Sequence, residues 1–175
     1  MISALDASSL CWEELEKIME NTLVIHRFNG METFQLKECV IALYCNEEFN
    51  KINIRFETNE TGFTQCADTS SYPTSPNGEF TILTDSQNLN DFLKNKIGSA
   101  VEIMDPYFEA LGDYLSRFYY YEHEEIEDIK INFLELVNDK VKISVSGFVR
   151  DVNFYDGSKP NAKIEFISWF SIYNN

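Results

Sequence analysis

The stretch that most constrains this chain is its last third, Ile129 to Tyr173. From Val141 to Val149 the apolar residues fall on nearly every alternate position, which gives a strand one wet and one dry face. The preceding run, Ile129, Ile131 and Phe133 to Val137, reaches it through the short polar turn Asn138-Asp139-Lys140. A third strand, Lys163 to Tyr173, places Ile164, Phe166, Phe170 and Ile172 on one face and Ile167, Trp169 and Tyr173 on the other. A strand apolar on both faces has to be covered twice, by the fold or by a partner. Three long antiparallel strands in a meander are the expected frame.

Upstream, Ser8-Ser9 followed by Leu10 to Met19 has the N-cap and apolar spacing of an amphipathic helix. Thr22 to Phe28 suits a strand closed by Asn29-Gly30, with Thr33 to Leu36 as a weak continuation. Cys39 to Cys45 is apolar on both faces and suits an interior strand, while Lys51 to Glu57 alternates with Ile52, Ile54 and Phe56 inward. Thr58 to Gly78 is rich in Thr, Ser, Asn, Pro and Gly and is expected to be a long mobile loop before a short strand, Phe80 to Leu83. Asp85-Ser86 is placed to cap a helix through Leu89, Phe92, Leu93 and Ile97. A further helix is expected from Asp105-Pro106. There Tyr107, Phe108, Leu111, Tyr114, Leu115 and Phe118 recur at spacings of three and four, the stripe of a core-facing helix. With 175 residues and no internal boundary, residues 1–175 form a single α+β domain. Its curved antiparallel sheet ends in the three-stranded meander, with helices packed on one side.

Composition narrows function mainly by exclusion. The 29 acids against 14 bases give a net charge of −15, more than solubility requires. Such a surface is a poor match for nucleic acid or anionic membrane and a good one for a basic protein. No basic leader and no apolar run of membrane-spanning length is present, so a cytoplasmic setting is expected. Cys39 and Cys45, at the ends of one strand, would stand about 20 Å apart, beyond disulfide reach. They are expected to be free, buried and slow to react. The glycines never cluster into a phosphate-binding loop, and no Cys pair or His pair has zinc spacing. Asp151 to Gly157 fits a calcium loop poorly, with Tyr155 at its fifth ligand position. No catalytic residue, metal or cofactor is therefore expected, and the chain is expected not to be an enzyme.

The charge is unevenly placed. Between Val101 and Lys130 there are nine acids and two bases, net −7. Its centre is Tyr119, Tyr120 and Tyr121 followed by Glu122, Glu124, Glu125, Glu127 and Asp128. Charge runs are commonly solvated faces. Yet exposed tyrosine beside carboxylates also grips Arg and Lys, through ring faces and charge-assisted hydrogen bonds. The loop with Asp151, Tyr155 and Asp156 is a second candidate surface. The last strand, if it is an edge, is a third, able to accept a partner strand.

A single α+β domain with strong acidity, tyrosines beside Asp and Glu, and no catalytic motif resembles the bacterial toxin-immunity proteins of the contact-dependent and polymorphic-toxin type. The resemblance spans the whole chain at the level of class and carries over no residue by motif. It implies an inhibitory binding protein, monomeric or weakly dimeric, that neutralises a cationic partner such as a toxin domain. Two other functions stay open. One is a structural or assembly subunit that self-associates through its last strand; the other is an acid–base enzyme of unidentified substrate.

Overall fold

The computed structural model describes residues 20–64, 75–120, 122–151 and 156–173. Twelve strands follow one another: β1 Thr22–Arg27, β2 Gly30–Cys45, β3 Asn50–Thr64, β4 Asn77–Thr84, β5 Ala100–Ile103, β6 Tyr107–Phe108, β7 Asp113–Tyr114, β8 Ser116–Tyr120, β9 Glu122–Glu124, β10 Glu127–Val137, β11 Lys140–Val149 and β12 Ala162–Tyr173. A single described helix, α1 Leu89–Lys96, lies between β4 and β5. The fold is thus nearly all β, which overturns the α+β expectation. The helix expected over Ser8–Met19 lies outside the described residues.

Ten of the strands form one sheet in the order β5-β10-β11-β12-β1-β2-β3-β4-β8-β9. The two ends of that list belong together. β8 pairs with β9, and β5 pairs with β10, both antiparallel. Between them the Ser116 hydroxyl donates to the Ile126 carbonyl and accepts from the Ile126 amide, both at 2.9 Å, extending the β8–β9 ladder toward β10. Residues 122–137 are therefore one bent run, with β8 and β5 end to end along one side and β11 along the other. Counting β5 with β8 and β9 with β10 as single staves, the ten strands make eight staves of a barrel that closes on itself.

The bend has visible causes. Asp128 takes φ 48°, and the β10–β11 register slips by one residue between Glu127 and Lys130. Such a bulge changes which backbone groups face which neighbour. Gly147 on β11 makes room for it: a Cβ there would stand 2.5 Å from Ile126 Cγ2 and 3.1 Å from the Glu127 carbonyl.

The core fills the barrel. Leu23, Ile25, Ile41, Ile52, Ile54, Phe80, Ile129, Ile131, Phe133, Val141, Ile143, Ile164, Phe166 and Phe170 are fully buried. The rings of Phe56 on β3 and Phe166 on β12 meet at 4.8 Å, although β1 and β2 lie between those strands in the sheet. Only a sheet wrapped about its own interior allows that. At one end α1 inserts Leu89, Phe92 and Leu93, and Phe92 packs edge-on to Phe133 at 5.8 Å. Burying three such side chains contributes about 1.5–3 kcal/mol each. Asn88 caps the helix by accepting from the Asp91 amide, so the cap sits a few residues beyond Asp85-Ser86.

The meander is present as expected: β10, β11 and β12 pair in sequence over most of their length. β12 pairs on its other side with β1 and, farther along, with β2. The last strand is interior, not an edge.

Three other expectations change. Residues 107–118 form no helix. Asp105-Pro106 leads into a small hairpin in which Tyr107 pairs with Tyr114, turning at Gly112 with φ 60°. The next residues alternate, Ser116, Phe118 and Tyr120 inward and Arg117 and Tyr119 outward. β2 is one strand rather than two: register shifts between Phe34 and Glu38 move its inward face from Phe34 and Leu36 to Cys39, Ile41 and Leu43. Half of the long loop expected over 58–78 is taken by β3, which runs to Thr64, and by β4, which starts at Asn77.

Cys39 and Cys45 are both free. Burial pushes the Cys39 thiol up to about 11, which keeps it unreactive. Cys45 shares that face but lies at the end of β2 and is exposed, contrary to the expectation that both are buried.

Gly147→Ala tests the closure. Adding one methyl against Ile126 and the Glu127 carbonyl is expected to destabilise the protein by about 1–3 kcal/mol in urea denaturation. A neutral result would show that the bent stave yields freely.

Candidate functional site

The barrel has two unlike ends. The helix end carries α1, the Asn46–Phe49 turn and the Asn138-Asp139 turn. The loop end carries the β1–β2 turn at Phe28-Asn29, the β8–β9 turn and the β11–β12 connection. Both acidic segments singled out from the sequence belong to one side of this loop end. Glu127 at the start of β10 pairs with Phe148 on β11, and its Oε2 accepts from Asn161 Nδ2 at 3.4 Å. Glu127 and Asn161 are therefore neighbours, which brings the 122–128 run beside the end of the 156–161 segment.

The residues differ in what they can do there. Tyr119 points outward from β8 and packs on His123 with ring centroids 5.0 Å apart. Glu127 and Asp128 are exposed, and Glu124 and Glu125 are half-buried. Asp156 is exposed; its carboxylate accepts from Ser158, which holds it below the usual carboxylate range and shapes the local turn. Tyr121, Tyr155 and the side chain of Glu122 lie outside the described residues.

Two candidates are not on this surface. Tyr120 is 3% exposed and packs inside the barrel, edge-on to Phe34 and stacked on Phe118. Its place follows from alternation: if Tyr119 is out, Tyr120 is in. Asp151 is also 3% exposed. Both of its carboxylate oxygens accept from Arg27, from Nε at 2.9 Å and Nη2 at 2.7 Å. This bidentate ion pair ties the end of β11 to the end of β1 inside the barrel.

Sequence reasoning missed other members. Tyr107 and Tyr114, assigned to a core-facing helical stripe, are 45% and 42% exposed and pack on each other at 5.2 Å. Tyr114 is hydrogen-bonded to Glu125, whose charge pushes the phenol above its ordinary range. A hollow of about 330 Å³ is lined by Tyr114, Ser116, Arg117, His123, Glu124 and Glu125. The guanidinium in it is already engaged, Arg117 donating to both oxygens of Asp113 at 2.8 and 2.7 Å. That leaves the wall's charge dominated by Glu124, Glu125, Glu127 and Asp128, with Tyr107, Tyr114 and Tyr119 interspersed. Ring faces beside carboxylates are suited to guanidinium and ammonium groups.

The outer side of the barrel carries a separate polar group. Glu165 on β12 is hydrogen-bonded to His26 at 2.6 Å and paired with Lys163. The His26 hydrogen bond, helped by Lys163 and opposed by burial, lowers Glu165 to about 2. Among the described residues no group of His, Cys, Asp and Glu could hold a metal ion, and no helix is long and apolar enough to cross a membrane. Compared with known proteins, the chain matches no family model, no curated sequence and no solved structure.

The two aspartates of the connection should separate on mutation. Asp151→Ala leaves Arg27 buried without its bidentate partner and is expected to cost about 3–5 kcal/mol in chemical denaturation. Asp156→Ala, on the surface, is expected to lie within about 0.5 kcal/mol of wild type. Equal effects would contradict the division between a buried tie and an exposed wall.

Proposed function

We propose that this chain is an inhibitory binding protein of the immunity type. Its partner is a basic protein, of which a toxin domain is the leading candidate. The surface used is the acidic, tyrosine-bearing wall of β7–β10 and the adjoining 156–161 segment. The observation that carries the reading is the juxtaposition of exposed Tyr107, Tyr114 and Tyr119 with Glu124, Glu125, Glu127 and Asp128. Exposed aromatics beside carboxylates on a barrel wall supply anchoring area and electrostatic steering together.

The wall needs no strand exchange. β12 is hydrogen-bonded on both sides, so assembly through the last strand has no free edge to use. Recognition by side chains on an intact barrel is the alternative that the topology favours. The proposal takes the partner to be a protein; it invokes no cofactor, nucleic acid or membrane.

Copurification of the full chain from its native host, with the bound protein identified by mass spectrometry, supplies the partner. Affinity is then measured across variants and salt concentrations. Glu124, Glu125 and Glu127 changed together to Gln are expected to slow association and flatten its salt dependence. Of Tyr107→Ala, Tyr114→Ala and Tyr119→Ala, one or two are expected to lose about 2 kcal/mol or more of binding and the rest little, as is usual for an interface. An acidic partner, or unchanged affinity across all these variants, would end the proposal. An intact fold in each variant is checked by thermal denaturation, where relief of repulsion should raise stability slightly.

A further inference from the structure

Three ionisable side chains are buried together at the loop end of the barrel, and their geometry satisfies only two. Arg27 gives Asp151 its two good hydrogen bonds. Glu32 on β2 also turns inward, and its side chain, like those of Arg27 and Asp151, is 1% exposed. Its Oε1 stands 3.5 Å from Arg27 Nη1, and its Oε2 is buried without a hydrogen-bond partner. With both acids ionised, the cluster would hold two anions and one cation away from water. One carboxylate oxygen would then have nothing to offset its lost hydration.

We propose that Glu32 carries a proton in the native protein, and that this proton leaves Arg27 to Asp151. The cluster is then a proton-linked latch on Asp151, where the chain leaves β11. The charged groups facing Glu32 are Arg27 from β1 and Asp151 from the end of β11. Its neighbours across the ladders, Ile25 and Thr64, do not titrate. Tyr120 from β8, edge-on to Phe34 at 6.1 Å, is a further buried titratable side chain among the described residues. Burial is the largest influence on Glu32 and raises its pKa. Arg27 opposes that shift, and Asp151 reinforces it.

The direction of the pH response follows. A carboxyl whose native pKa lies above its unfolded value, about 4.3, contributes stability that is fully present below the unfolded value. That contribution is lost as pH rises through the native one. When Glu32 gives its proton to solvent, a second anion competes for the Arg27 guanidinium. Asp151 is then held less firmly where the chain leaves β11. This latch stands on the buried cluster alone and does not depend on what the outer wall binds.

The test is carried out on the full chain. Carboxyl-carbon NMR of protein labelled at glutamate follows each side chain through a pH titration, with the Glu32 signal identified by its loss in Glu32→Gln. Glu32 is expected to titrate above the ordinary glutamate value of about 4.3. Wild type and Glu32→Gln are expected to be similarly stable in acid. Toward alkaline pH Glu32→Gln should gain, the ratio of folding constants growing by up to about tenfold per pH unit below the native pKa. Amide exchange at Arg150 and Asp151, compared at one alkaline pH, should be faster in wild type than in Glu32→Gln. Glu32 titrating at or below the ordinary glutamate value, or a stability gap constant across pH, would overturn the proposal in favour of a permanently ionised triad. If Glu32→Gln does not fold, Glu32→Asp identifies the signal and the wild-type titration decides alone.

Discussion

Closure of this barrel depends on one bent stave. The run 122–137 has to pair with β8 and then β5 on one side while meeting β11 on the other. A regular strand cannot slip its register by one residue without a bulge. Asp128 in the left-handed region provides the bulge, Gly147 the space, and the Ser116 hydroxyl the hydrogen bonds at Ile126. The packing of Phe56 on Phe166 agrees with the pairing of β9 on β8 and of β10 on β5: the sheet curls round its own core.

Closing a barrel leaves its ends to be filled, and the two ends are filled by different means. At the helix end α1 supplies apolar side chains. At the loop end the filling is ionic, with Arg27, Asp151 and Glu32 inside the wall. A buried ion pair contributes little net stability but is costly to break, so its main consequence is to fix geometry. Here it fixes where the chain leaves β11. The connection that follows returns to the wall at Asn161, beside Glu127.

The sequence showed the meander clearly because β10–β12 bury one complete face each, and period-two alternation records that directly. It showed α1 for a similar reason: Leu89, Phe92, Leu93 and Ile97 are spaced for one helical face. It misled at two kinds of place. Bulges erase phase, so β2 looked like a weak strand and a separate apolar one, when a register slip near Leu36 had exchanged its faces. In residues 107–118 the aromatic spacing matched a helix by accident. Tyr107 and Tyr114 are cross-strand partners in a hairpin, and aromatics are as much at home in strands. The turn at Gly112 and the alternation from Ser116 to Tyr120 were legible but were outweighed by the stripe. That Asp151 is buried was not legible, because Arg27 lies 124 residues away and only the closed barrel brings them together.

The same misreading hid part of the candidate surface. A helix would have buried Tyr107 and Tyr114; the hairpin exposes them. It does so because residues 104–115 are an excursion between β5 and β8, which otherwise continue one another along the bent stave. An insertion in a stave does not disturb the barrel if the strand resumes in register beyond it, and its own side chains are free of core duties. The excursion also brings Tyr114 against Glu125 with Asp105 close by, placing like charge where the core gains nothing from it. Self-repulsion of that kind is unfavourable in the isolated protein, and neutralisation by a cationic surface would relieve it. A closed barrel whose last strand is interior therefore presents this wall to partners through side chains rather than through its backbone, and the charge that weakens the free fold is the charge that would steer association.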